Sequence, residues 1–251
     1  MPEDYESIES DVLVIGAGGA GLRAAIAIND SGQKVIVVSK SLLGKAHTVM
    51  AEGGVAASLG NVDPQDNWTV HYGDIIEEGV YISSWKMAEI LAKEAPSRVL
   101  ELESYGALFD RTPDGRIMQR AFGAHTYRRL AHLGDRTGLE LIKTLEHQVI
   151  HRDITFYDEM YITNLIREGN RIVGAVGIKM NTGKIFLFKG ICHCYWRFRK
   201  SFQDHIKFMG IHRGRHWHGI QGRSQAEGHG NDPVPPHWNG LSAWSQGPSG
   251  Y

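Results

Sequence analysis

The chain has 251 residues, 42% of them hydrophobic and 22% charged, with a formal net charge of −1. This composition suits one large or two small globular domains and argues against a nucleic-acid binder built on bulk basic charge. Two cysteines exclude a disulfide-rich scaffold, the acidic start at residues 1–6 lacks the marks of a signal or transit peptide, and no apolar run approaches the roughly 18 residues of a membrane span, so a cytoplasmic location is expected.

Residues 11–15 close on the continuous apolar run Val12-Leu13-Val14-Ile15, the pattern of a strand buried on both faces of a parallel sheet. Gly16-Ala17-Gly18-Gly19-Ala20-Gly21 follows. Residues 22–29 read as a helix, Gly32 is placed to end it in the left-handed conformation, and residues 34–38 form a second strand. Gly16, Gly18 and Gly21 satisfy G-x-G-x-x-G between a strand and a helix, the setting in which helix-start amides face a pyrophosphate. A plain glycine turn without a ligand is the alternative. The acidic residue that usually ends the second strand to hold a ribose is replaced by Ser39-Lys40, which disfavours a free nicotinamide dinucleotide and leaves FAD open.

The next segment, Ala46-His47-Thr48-Val49-Met50-Ala51-Glu52-Gly53-Gly54-Val55, resembles the H-T-V-x-A-[EQ]-G-G motif of succinate dehydrogenase and fumarate reductase flavoprotein subunits. Ser39-Lys40, His71-Tyr72-Gly73-Asp74, Ala95-Pro96, the segment from Phe109 to Gly115, Gln119-Arg120-Ala121-Phe122-Gly123 and Asp135-Arg136-Thr137-Gly138 extend the similarity over about residues 10 to 190. The resemblance implies an α/β, Rossmann-like FAD-binding domain over residues 1–190. It implies FAD held by residues 16–21, Ser39, Lys40, Ala46, His47, Thr48, Ala51, Glu52, Gly53 and Gly54, with His47 at the position that bonds the flavin covalently. A hydrogen-bonding loop histidine is the alternative for His47. The related L-aspartate oxidases lack this histidine and are the competing flavoenzyme reading.

The activity so implied is interconversion of fumarate and succinate. Electrons would leave through an iron–sulfur partner subunit, and the membrane would be met only through partner subunits. Phe122 and Gly123 match the F-G-G that lies near the dicarboxylate in this family. Ala124 departs from the second glycine, and His125 is either a substrate contact or a loop histidine. Arg111, Arg120, Arg128 and Arg129 are candidates to attract a dicarboxylate or are solvated surface residues.

Residues 155–189 turn β-rich. Turns at 168–170 and at Asn181-Thr182-Gly183 separate strands at 171–178 and 184–189, a β-meander inserted after the first strand–helix–strand unit.

From residue 191 the composition changes. Residues 191–251 hold both cysteines, four of six tryptophans and seven of thirteen histidines, with one Val and one Leu, and they read as a disordered, out-of-family tail. The family resemblance implies a strand ending A-T-G-G here. Read one base out of frame, Cys192 to Lys200 can encode V-I-A-T-G-G-F-G and a basic residue. The codons of Trp196, Met209, Trp217 and Trp238 force Gly, Trp, Gly and Gly at positions where the family's next motifs accept them. A frame shift near codon 190 is therefore expected. No catalytic residue is then encoded in frame, the FAD domain is incomplete, and the chain is expected to be inactive as written. Resequencing the DNA across codons 185 to 200 decides the matter. A metal-binding tail built on Cys192, Cys194, His216 and His218 is the alternative, with spacings that match no standard four-ligand site; no metal is expected.

Overall fold

The computed structural model describes residues 5–169 and 171–194. Strand β1 (Tyr5–Ile15) leads through the glycine turn into α1 (Gly19–Asp30), and β2 (Val35–Val38) returns beside β1 in parallel, pairing Val12 with Val35 and Ile15 with Val38. Helix α1 ends as expected: Gly32 N–H donates to the Asn29 carbonyl and Gln33 N–H to the Ile28 carbonyl, a Schellman closure. The strand begins seven residues earlier than the apolar run, because Tyr5 to Glu9 pair with a later strand.

Three helices follow that sequence patterning leaves unassigned: α2 (Trp68–Glu78), α3 (Trp85–Ser104) and α4 (Thr137–His151). Helix α2 starts at Asn67, whose side-chain oxygen accepts from the Thr69 and Val70 amides, satisfying donors that a helix start leaves free. Strand β3 (Val55–Ala56), ahead of α2, joins β4 (Gln119–Arg120) and β5 (Leu130–Ala131), between α3 and α4, in a small antiparallel sheet ordered β3-β5-β4.

The chain then adds β6 (Thr155–Tyr157) beside β2, β7 (Met160–Glu168), β8 (Arg171–Lys179) and β9 (Ile185–Cys194), giving one six-stranded sheet, β6-β2-β1-β9-β8-β7. The expected meander is present. It is continuous with the main sheet, because β9 lies antiparallel to β8 along one edge and parallel to β1 along the other. The boundary expected at residue 190 falls inside β9, whose backbone pairs Cys194 with Ile15. The expectations for the tail beyond Cys194, its disorder, its altered frame and its candidate ligands His216 and His218, lie outside the described residues.

Alternation along β1 and β2 divides the core. Val12, Val14, Val35 and Val37 pack with Leu22, Ile26, Ile142 and Leu145 of α1 and α4. Leu13, Ile15, Ile36 and Val38 gather on the other face with Met160, Phe186 and Phe188. Burial on both faces explains the unbroken apolar run of β1.

Candidate functional site

The site is built where β1 ends. Gly16 takes φ +111°, a region closed to most side chains, and its amide donates to the Val38 carbonyl, which turns the chain sharply into α1. The first turn of α1 carries no acidic side chain, and Gly18 at its N-cap supplies no side-chain cap. The positive end of this helix therefore keeps its character, the arrangement that suits a pyrophosphate. Ala17 and Gly21 are buried, Gly18 and Gly19 are half-buried and Ala20 is exposed. Ser39 is buried at the end of β2, its amide donating to the Tyr157 carbonyl, while Lys40 is exposed.

The motif segment meets this turn directly. His47–Met50 forms one 3-10 turn, and the Thr48 hydroxyl accepts from the Gly19 amide at 3.3 Å. Helix α4 closes the other side. The Gly138 amide donates to the Ala51 carbonyl at 2.7 Å, and a Cβ at Gly138 would overlap the Thr48 carbonyl oxygen. Ala46 is half-buried against the α1–α4 core, whereas His47 and Glu52 are exposed. Gly54 has φ +122°, and a Cβ there would sit 2.9 Å from the Ala131 carbonyl oxygen, so this position accepts only glycine without rearrangement.

At the far end of the segment a cleft of about 360 Å³ is lined by Glu52, Gly53, Arg120, Ala121, Phe122 and Asp135. The Phe122 ring lies against Gly53, within 3.4 Å of where a Cβ would stand. Arg120 donates to the carbonyls of Gly53 (2.9 Å) and Glu52 (2.6 Å) and pairs with Asp135 (3.2 Å). Arg120 thus holds the carbonyls of Glu52 and Gly53 on its own side.

The other arginines are engaged elsewhere, Arg111 with Glu103 (2.5 Å) and Arg128 with Asp63 (2.5 Å). Arg129 is fully buried, paired with Asp66 and Asp74, so it is neither a solvated surface residue nor open to a ligand. Gly123 is exposed. His125 does not line the cleft; its ring packs edge-on against His71, with centroids 5.9 Å apart.

The sequence offers Arg129 only as a dicarboxylate or surface candidate and gives no role to Asp66, His71 and Asp74, which cluster with it. Polar residues at i and i+3 on α2, His71 and Asp74, stand beside the apolar Tyr72 and Ile75, and that is the one signal that points inward. Besides Arg129 Nη1, which meets Asp74 only as an ion pair, four polar atoms here lack a hydrogen-bond partner among the described residues: Arg129 Nε, Asp66 Oδ2 and the Nδ1 atoms of His71 and His125. Burial, then the Arg129 charge, lowers the His71 pKa to about 4, with His125 adding to the shift and Asp74 opposing it. Burial and Arg129 also lower His125.

Unfolded histidine titrates near 6.5, so between that pH and about 4 the unfolded chain binds a proton that folded His71 refuses. Stability is expected to fall as pH drops through this window, by about 3 kcal/mol from His71 in total. Urea midpoints at pH 7 and pH 4.5 measure this loss, and a His71→Leu chain should show a shallower slope. Equal slopes would remove His71 as the cause.

Among the described residues, no helix is long and apolar enough to cross a membrane, and no group of three or more His, Cys, Asp or Glu side chains is arranged to hold a metal.

Residues 11–192 match the FAD binding domain family. A fumarate reductase (CoM/CoB) subunit from Methanothermobacter marburgensis is 45% identical over 187 residues, covering 74% of this chain and 34% of that protein. The succinate dehydrogenase flavoprotein subunit of Coxiella burnetii is 42% identical over 188 residues, covering 71% and 32%. Among solved structures, Mycobacterium smegmatis Sdh1 in complex with UQ1 superposes with a TM-score of 0.72 at 52% identity, covering 74% of this chain and 33% of that one. The chain spans about a third of the length of these relatives.

Proposed function

Because the chain belongs to the FAD binding domain family, within its fumarate reductase and succinate dehydrogenase flavoprotein group, we propose that it is the flavin-carrying part of an enzyme interconverting fumarate and succinate. Its cofactor is FAD. One observation carries the reading: the turn at His47–Met50 is held between the dinucleotide turn and α4, through Gly19 N–H to Thr48 and Gly138 N–H to Ala51, and leads straight into the Gly53–Phe122 cleft. On this reading, pyrophosphate subsite, flavin-facing segment and substrate cleft follow one another along a single path.

Bound FAD would supply the hydride acceptor and donor at flavin N5. The chain's own residues would hold the cofactor and line the cleft. The uncapped start of α1 would hold its pyrophosphate. Arg120 keeps the carbonyls of Glu52 and Gly53 turned to itself, and Phe122 lines the cleft against Gly53. His47, exposed on its turn, is the proposed covalent attachment point. We also propose an iron–sulfur partner that carries electrons away, contact with the membrane through partner subunits on its cytoplasmic face, and the change of reading frame near codon 190. The frame proposal is supported by a family match that stops at residue 192.

Expression with FAD tests the reading. The wild-type chain should carry yellow fluorescence that survives acid precipitation, and His47→Ser should release the flavin to acid while still taking it up. Acid-labile flavin in the wild type would remove the covalent proposal. No flavin uptake would remove the functional one.

A further inference from the structure

Residues 121–124, which carry Phe122 over Gly53, are exposed on the surface. An exposed segment costs entropy to hold in one place, so its anchor matters. That anchor is Thr126. Its amide donates to Asp74 Oδ2 at 2.9 Å and its hydroxyl to Asp74 Oδ1 at 2.7 Å. Asp74 is buried on α2, and its Oδ2 lies 2.8 Å from Nη1 of the fully buried Arg129, which also pairs with Asp66 at 2.9 Å. The Arg129 carbonyl accepts from the Ala57 amide, beyond the glycine pair. One arginine thus joins α2, the base of the Phe122 segment and the strand that leaves Gly54. Apolar residues could fill this space without the desolvation cost of three buried charges. What such residues cannot supply is a directional hold on a turn.

We propose that Asp74 is a positioning residue for the dicarboxylate cleft: gripping Thr126 from beneath, it holds Phe122 against Gly53. This rests on the dicarboxylate reading given above. Thr126 is itself exposed, so its substitution leaves the core intact. Thr126→Val removes the hydroxyl donor, and Thr126→Ser restores it.

In the full chain loaded with FAD, two quantities are measured: amide hydrogen exchange across residues 121–126, and the change in flavin absorbance on titration with malonate. Malonate is a dicarboxylate with a single methylene, so it binds without a C2–C3 bond to desaturate. Thr126→Val should exchange about tenfold faster and bind malonate about tenfold more weakly, the scale of one lost hydrogen bond to a charged acceptor. Thr126→Ser should behave as wild type, and all three chains should hold equal FAD. Unchanged exchange in Thr126→Val overturns the proposal. So does faster exchange with unchanged malonate affinity, because the hold would then do nothing for the ligand. A wild-type chain that takes up FAD and ignores malonate would instead bring down the dicarboxylate reading, and the role of Asp74 with it.

Discussion

A Gly138→Ala chain is expected to lose most of its FAD, with retention on gel filtration down at least about tenfold, and to be destabilised by about 2–4 kcal/mol. The added methyl would overlap the Thr48 carbonyl oxygen and stand 2.8 Å from both the amide nitrogen and the carbonyl oxygen of Ala51. These are backbone atoms, so no rotamer change relieves the contact. Either α4 moves outward, opening the Ile142–Leu145 side of the core, or the 3-10 turn moves away from α4. The second route breaks the Gly138–Ala51 hydrogen bond and pulls Thr48 from Gly19, which displaces His47. Chemical denaturation and the flavin-to-protein absorbance ratio measure both effects. A variant with wild-type midpoint and wild-type flavin content would show that the packing of α4 on this turn is looser than described.

Arg129→Met is expected to cost about 3–5 kcal/mol, because two buried carboxylates lose their counter-charge. Against a total stability of about 5–15 kcal/mol, this leaves the chain close to unfolding at 37 °C. Asp66 already shows the strain of the location: burial holds its carboxyl above the ordinary range even though Arg129 pulls it down. The loss comes from unpaired charge rather than from lost volume, so the triple variant Arg129→Met, Asp66→Asn, Asp74→Asn should recover most of it. Urea denaturation of wild type, single and triple variants separates the two causes. A single variant within about 1 kcal/mol of wild type would mean that water reaches the carboxylates and the pairs contribute little.

What lies open to reading in the chain is local. The run Val12-Leu13-Val14-Ile15 and the glycines at 16, 18 and 21 are contiguous, and each specifies its conformation through neighbours a few residues away. The Schellman closure at Gly32 and the turns at Gly169 and Gly183 are legible for the same reason. The segment 46–54 is recognisable as a motif, and the structure places it beside the glycine turn.

The length of β1 is not readable, because Tyr5 to Glu9 owe their strand to pairing with Ile185 to Lys189 at the other end of the domain. Helices α2, α3 and α4 escape assignment where motif matching takes the place of periodicity.

By itself the sequence determined the glycine turn, the flavoprotein family and the motif at residues 46–54. Only the tertiary structure decided which charged residues line the cleft and which are internal. Arg120 and Arg129 look alike in the chain. One grips the carbonyls of Glu52 and Gly53 at the mouth of a cleft, while the other is sealed between Asp66 and Asp74. The same applies to His125, which turns to His71 rather than to the cleft. The physical reason is separation. Arg120 meets Gly53 across 67 residues, Arg129 meets Asp66 across 63 and Thr126 meets Asp74 across 52. A side chain's partner at that distance is set by how helices and strands pack, and neither its own identity nor that of its neighbours encodes it.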